Sequence, residues 1–239
     1  MRLLVLVLLV ASIFAVSSAK ADEQAHRLQQ IRVEGFELIN SVLAFYNPNA
    51  EGMDYRFEKR YQQALTRLDA LIVNPGPMLS ALKQIRETLA DLEENARNNP
   101  AYLYSRWVNP LLKAHAELDR AAVTQYEQSG ASATLERKHE INLNLCRLLL
   151  LYQTRTFGTL GVFAMTMDED TFTRLDASIV TGLELLAESH PDSREALSQL
   201  ITQYAFVRPR LMQHGEKWVP GITAYYMGNI SRDLAKLSF

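Results

Sequence analysis

Cysteine is almost missing from this chain of 239 residues: Cys146 is the only one. A lone cysteine rules out an internal disulfide framework. It sits in residues 145–152, a run that is apolar apart from Arg147. The expectation there is a buried core thiol, because a nucleophile needs a neighbouring base and an electropositive setting. No C-x-x-C-H occurs, which excludes a c-type haem, and no paired Cys/His set points to zinc. The G-x-S-x-G turn of serine hydrolases is also missing. Charge of one sign is not concentrated anywhere. The chain carries 25 Lys and Arg against 27 Asp and Glu, interspersed. Neutralising a phosphate backbone needs a clustered basic face, so nucleic acid is not an expected partner. No window alternates apolar and polar residues strictly enough to argue for a strand.

Long hydrophobic runs are scarce too, and the longest lies at the start. Residues 3–16 form an apolar run behind Arg2, and Ala19-Lys20-Ala21 fits a small-x-small cleavage site. A bilayer-spanning helix needs roughly 20 apolar residues, which favours a cleaved leader over a permanent anchor. The expectation is a signal peptide over residues 1–21, cleavage after Ala21 and a periplasmic mature protein. No Cys follows the site, so lipid attachment there is not expected. The leader takes Arg2 and Lys20 with it, leaving 23 basic against 27 acidic residues, a net charge of −4 (23 − 27).

The remaining residues carry helical periodicity. Leu82, Ile85, Leu89, Leu92 and Ala96 step by three and four, and so do Leu197, Leu200, Tyr204, Val207 and Leu211. Each set is an apolar seam on one helix face. Gly, Pro and Asn punctuate the pattern. They predict helices over 23–46, 54–73, 77–98, 99–128, 133–165, 169–189, 192–213 and 218–237. Pro110 and Pro209 are expected inside helices, and Asp192 with Glu195 suggests a capping box.

The order of breaks repeats. Phe57 and Phe172, Leu68 and Leu183, Leu71 and Leu186, Gln84 and Gln199, and the two seams are all 115 residues apart. Trp107-Val108 and Trp218-Val219 need a short gap. The expected fold is therefore all-α, antiparallel helical bundles made of two diverged four-helix repeats, 22–130 and 131–239.

Candidate sites are few. Glu136 and His139 have the Glu-x-x-His spacing of a di-iron ligand pair, but no second pair exists. The expected reading is a solvated first helical turn, with no metal and no cofactor. The 27 acidic residues mostly follow exposed faces, so carboxylate pairs give no sign of glycosidase chemistry. Residues 148–151 are apolar on every face and predict an enclosed helix. Arg147 and Arg155 flank that turn, and Arg32 aligns with Arg147 at the 115-residue offset. The three arginines are the candidate ligand residues. A guanidinium fork suits a small anion, and it equally suits an Asp or Glu of a neighbouring helix. The aromatic residues Tyr102, Tyr104, Trp107, Trp218, Tyr225 and Tyr226 are expected in the core, with a partner surface as the other reading.

Three stretches of the second half carry a family resemblance. They are Ile141-Asn142-Leu143, the run from Tyr204 to Pro209, and Val219-Pro220 with the segment 230–237. Together they resemble the PilJ-type domain, the periplasmic sensing region of type IV pilus chemosensory receptors. The resemblance covers about 100 residues, and the first half enters only through the internal repeat. It implies tandem bundles of antiparallel helices. Cys146 and Leu148 stand where that family has its two motif arginines, so anion sensing of the nitrate type does not carry over. The receptors' membrane spans and cytoplasmic signalling region have no counterpart. The expectation is a non-enzymatic periplasmic binding or sensory-accessory protein. It would take a small anion or metabolite and act through an envelope or membrane signalling protein. The alternative is a structural adaptor of a cell-envelope or type IV pilus assembly, without a small ligand.

Overall fold

The computed structural model describes residues 2–95, 104–158, 168, 170–212 and 217–238, with backbone alone for 2–19, 104 and 105. These residues form eight α-helices and no strand. The helices are α1 (Arg2–Phe45), α2 (Tyr55–Leu71), α3 (Pro77–Asn95), α4 (Tyr104–Tyr126), α5 (Ala133–Thr156), α6 (Thr171–Ser189), α7 (Arg194–Met212) and α8 (Pro220–Lys236). Among the described residues no helix is long and apolar enough to cross a membrane.

Local sequence explains most of the boundaries. Asp54 caps α2 by accepting the Arg56 N–H at 3.0 Å. Pro77 and Pro220 occupy first turns, where no intrahelical donor is lost. Pro110 and Pro209 lie inside α4 and α7, as expected. Three expectations need correction. The helix predicted over 133–165 stops at Thr156, because Gly158 turns the chain out with φ +94°. The expected capping box at Asp192 and Glu195 is replaced by a 3-10 turn, Pro191–Ser193, which leads into α7. The helix expected to begin at residue 23 is continuous with the preceding backbone from Arg2. Ala96, the Asn99-Pro100 helix start, Tyr102, residues 159–165 and the His214-Gly215 cap lie outside the described residues.

The eight helices form two four-helix units whose packing differs in one pair, since α6 packs on α7 whereas α2 and α3 do not pack closely among the described residues. In the first, α1 packs on α2 and α4, and α3 packs on α4. In the second, α5 packs on α6 and α8, and α7 packs on α8 and α6. Both seams are buried: Leu82, Ile85, Leu89 and Leu92 in one unit, and Leu197, Leu200, Tyr204, Val207 and Leu211 in the other. A polar bridge recurs at the 115-residue offset. Tyr61 on α2 donates to Glu93 on α3 at 3.0 Å. The equivalent positions, Asp176 on α6 and Arg208 on α7, pair through 2.6 and 2.7 Å bonds. The two positions thus join the corresponding pairs of helices with different chemistry.

The units share a single core through α1 and α5. Contacts between these helices rise together along both: Asp22 to Ser132, Gln29 to His139, Asn40 to Cys146, Asn47 to Gln153. The two helices therefore run parallel, and the two units stand side by side. Residues 148–151 are at most 3 % exposed, as their all-round apolarity requires. Where α5 crosses α6 the backbones approach closely. A Cβ built on Gly182 would lie 2.6 Å from Ile141 Cγ1, which leaves room for glycine alone.

Candidate functional site

Polar side chains line the α1–α5 seam. Asn40 Nδ2 donates to the Cys146 carbonyl at 3.2 Å, and Asn47 Nδ2 donates to Thr156 Oγ1 at 2.6 Å. Gln153 Nε2 reaches the Pro220 carbonyl on α8 at 3.0 Å. Ser231 of α8 donates to Asn142 Oδ1 at 2.5 Å and lies 3.5 Å from Cys146 Sγ. Cys146 is buried, and loss of solvent pushes its thiol up to about 12, so it stays protonated. That is the inert core thiol the sequence led us to expect.

The three candidate arginines go to three different environments. Arg32 is 6 % exposed and grips Asp119 of α4 with two bonds, 2.7 and 3.3 Å. Arg147 donates to Asn144 Oδ1 at 3.2 Å, one turn back on its own helix. Burial, and then the nearby Arg32, lower its pKa, while Asp119 opposes that shift. Arg147 thus lies within electrostatic reach of Arg32, Asp119 and Glu140. Its Nε is buried and finds no hydrogen-bond partner among the described residues. Arg155 lies over the Phe172 ring of α6, 3.7 Å from the centroid. Two helical turns, about 12 Å, separate Arg147 from Arg155, so they do not close on one small anion. None of the three lines any of the five clefts found among the described residues.

A different cleft lies between the units, walled by α1, α2, α5 and α8. Its volume is about 530 Å³, within the range of small-molecule sites. One end is charged. Glu37 accepts from Arg232 at 2.7 Å and is 13 % exposed on its side chain. Burial raises its pKa, against the pull of Arg232 and Arg60. Gly228 on α8 makes this packing possible: a Cβ there would meet Arg60 Nη1 at 3.2 Å, Glu37 Oε2 at 3.3 Å and Arg232 Nη1 at 3.4 Å. Arg60 bonds the neutral oxygens of Ala224 and Asn229. Arg67 pairs with Glu34 at 2.6 and 2.9 Å.

The other end, beside Lys138, is under-bonded. Gln29 is 3 % exposed, and its Nε2 donates to the His139 carbonyl at 3.0 Å. Its Oε1 is buried with no partner among the described residues. His139 is 4 % exposed, with Nδ1 at 2.9 Å from the Tyr126 hydroxyl, and its Nε2 is likewise unpartnered. Burial, followed by the charges of His26 and Lys138, pushes the His139 pKa down to about 3. His139 is therefore not in a solvated first turn as expected; it is packed and neutral. His26 stacks near it, with ring centroids 5.8 Å apart. No group of three or more metal-binding side chains forms among the described residues.

The aromatic set divides. Trp107 is core, edge-on to Tyr46 and Phe157, each at 5.8 Å. Trp218 is half-buried against Tyr152, and Tyr225 is exposed, contrary to the expected core position. Tyr225 joins Met53, Tyr55, Phe206 and Ile222 along two clefts at one end of the molecule. Comparison with protein-family models, curated proteins and solved structures finds no match.

Proposed function

We propose that this is a non-enzymatic binding or sensory-accessory protein of the periplasm, holding a small polar ligand between its two helical units and acting through a partner. One observation carries the reading. Gln29 and His139 both line this cleft, and Gln29 Oε1 and His139 Nε2 are closed off from solvent with no partner among the described residues. A buried polar group without a partner costs roughly 1–3 kcal/mol, a cost that a bound molecule would remove. The side chains of the cleft supply donors, acceptors and charge, while Cys146 is inert and His139 is neutral, which supports binding over catalysis. The export signal read at Ala19-Lys20-Ala21 supports the compartment.

The test is a thermal-shift screen of the mature protein against small metabolites, repeated on Val33→Trp, which fills the cleft. A ligand at 100 times its dissociation constant adds roughly 2.7 kcal/mol. Hits that vanish in a folded Val33→Trp variant support the reading; hits that persist, or no hits, contradict it.

The adaptor reading has its own support in the aromatic end face. Five large apolar side chains are exposed together there: Met53 at 47 %, Tyr55 at 67 %, Phe206 at 63 %, Ile222 at 49 % and Tyr225 at 37 %. Contiguous apolar surface of this kind marks contact sites. Under this reading Phe206→Ser with Ile222→Ser abolishes incorporation into an envelope assembly and leaves the melting temperature unchanged.

A further inference from the structure

The cleft between the units carries chemistry specific enough to name a ligand class, an inference that rests on the binding reading above. Gln29 Nε2 is committed to the His139 carbonyl, so Gln29 Oε1 can only accept. His139 Nδ1 is committed to Tyr126, and Nε2 donates or accepts according to the tautomer. A hydroxyl group suits either atom, and an ammonium group suits Gln29 Oε1, and also His139 Nε2 where Nε2 accepts. The charge along the cleft runs the other way. Arg60, Arg67, Lys138, Arg232 and Lys236 stand against Glu34 and Glu37, and Lys236 is paired with Asp233 at 2.7 Å, which leaves an excess of two positive charges. Lys138 adjoins His139 in the chain and donates to the Ala235 carbonyl at 3.1 Å and the Leu237 carbonyl at 2.5 Å at the end of α8, and Glu34 holds Arg67 five residues from Gln29 on α1, about 7.5 Å of helix. A donor group is thus wanted deep in the cleft and an anion near its basic rim.

We infer that the cleft between α1, α2, α5 and α8 binds a small carboxylate bearing a hydroxyl or ammonium group, with that donor on Gln29 and His139 and the carboxylate toward Arg67 and Lys138. A neutral sugar leaves the positive excess unanswered, and a simple dicarboxylate leaves Gln29 Oε1 unpaired.

Three probes of similar size separate these features. L-malate offers a hydroxyl, L-aspartate an ammonium, and succinate neither. Melting curves of the full mature chain, at matched ionic strength, should rise by roughly 5–10 °C when malate or aspartate is at a hundredfold excess over its dissociation constant. Succinate should bind at least about tenfold more weakly, the usual cost of leaving a buried acceptor unpaired. Gln29→Leu should erase the preference for malate over succinate, and Arg67→Gln should weaken all three probes. Circular dichroism verifies that each variant is folded. The inference is overturned if neither malate nor aspartate stabilises the protein, or if malate and succinate bind equally to the wild type. The broader reading fails separately. If a neutral or cationic metabolite binds and Val33→Trp abolishes it, the cleft is a ligand site of another class. If nothing binds, or binding survives Val33→Trp, the cleft is not a site.

Discussion

Removing the Asp119 charge should be among the most destabilising single changes in the protein. Arg32 and Asp119 are each 6 % exposed and joined by 2.7 and 3.3 Å bonds between α1 and α4. Breaking a buried pair by deleting one partner costs roughly 3–5 kcal/mol, because the remaining charge is left without solvent. The two deletions are not equivalent here. Asp119→Asn leaves Arg32 without its carboxylate and in the field of a second cation, Arg147. Arg32→Met leaves Asp119 with Arg147 still in its field. Asp119→Asn should therefore sit at the upper end of that range and Arg32→Met below it. The double change Arg32→Met with Asp119→Leu removes both charges and restores apolar contact, and should return to within about 1 kcal/mol of wild type. Urea denaturation followed by far-UV circular dichroism, with unchanged m-values, measures all three. A loss under about 1 kcal/mol for Asp119→Asn, or the reverse order of the two single changes, would refute the claim that one carboxylate serves two arginines.

Other expectations follow from single contacts. Leu149→Ala on the enclosed turn of α5 should cost roughly 2–5 kcal/mol, measured in the same urea titration. Gly182→Ala should destabilise by roughly 1–3 kcal/mol despite alanine's better helix propensity, since the new methyl meets Ile141; a gain in melting temperature contradicts the close α5–α6 approach. His115 is buried with no partner for either ring nitrogen among the described residues, and burial pushes its pKa down to about 4. The unfolded chain therefore binds more protons than the native one below pH 6.5, and stability should fall as pH drops from about 6.5 towards 4, by about 3 kcal/mol from this residue. His115→Leu should flatten that slope between pH 6.5 and 4 and match or exceed wild-type stability at pH 7; an unchanged slope contradicts it. N-terminal sequencing of periplasmic material should begin at Asp22; full-length chain in the membrane fraction contradicts cleavage.

The fold was legible where periodicity alone decides burial. The seams 82–92 and 197–211, the enclosed turn 148–151 and the proline-opened helices all follow from spacing and local backbone chemistry. What spacing hides is which side chains meet across helices. Arg32 and Arg147 share an offset, yet one grips Asp119 and the other bonds Asn144, because their neighbours on α4 and α5 differ. Gln29 and Asn40 carry no signal in the sequence, and Asn47 reads there only as a helix break, although each bonds α5 across the parallel seam. Residues 38–46 form a nearly unbroken apolar run interrupted by Asn40 and Ser41, much as Arg147 interrupts its own run; that likeness was the available signal that α1 is as central as α5. His139 was misplaced because a first helical turn is usually solvated, and here Tyr126 and α1 cover it.

Hydrogen exchange with and without bound ligand tests the binding claim most directly. The mature protein is saturated with the best hit of the metabolite screen, and amide protection is compared by segment. Protection should rise in residues 26–37 of α1 and 138–142 of α5, the walls that hold Gln29 and His139, with α2 and α8 following at Arg60 and Arg232. Unchanged exchange in those segments, or protection confined to the end face around Tyr55, Phe206 and Ile222, would contradict ligand binding between the units.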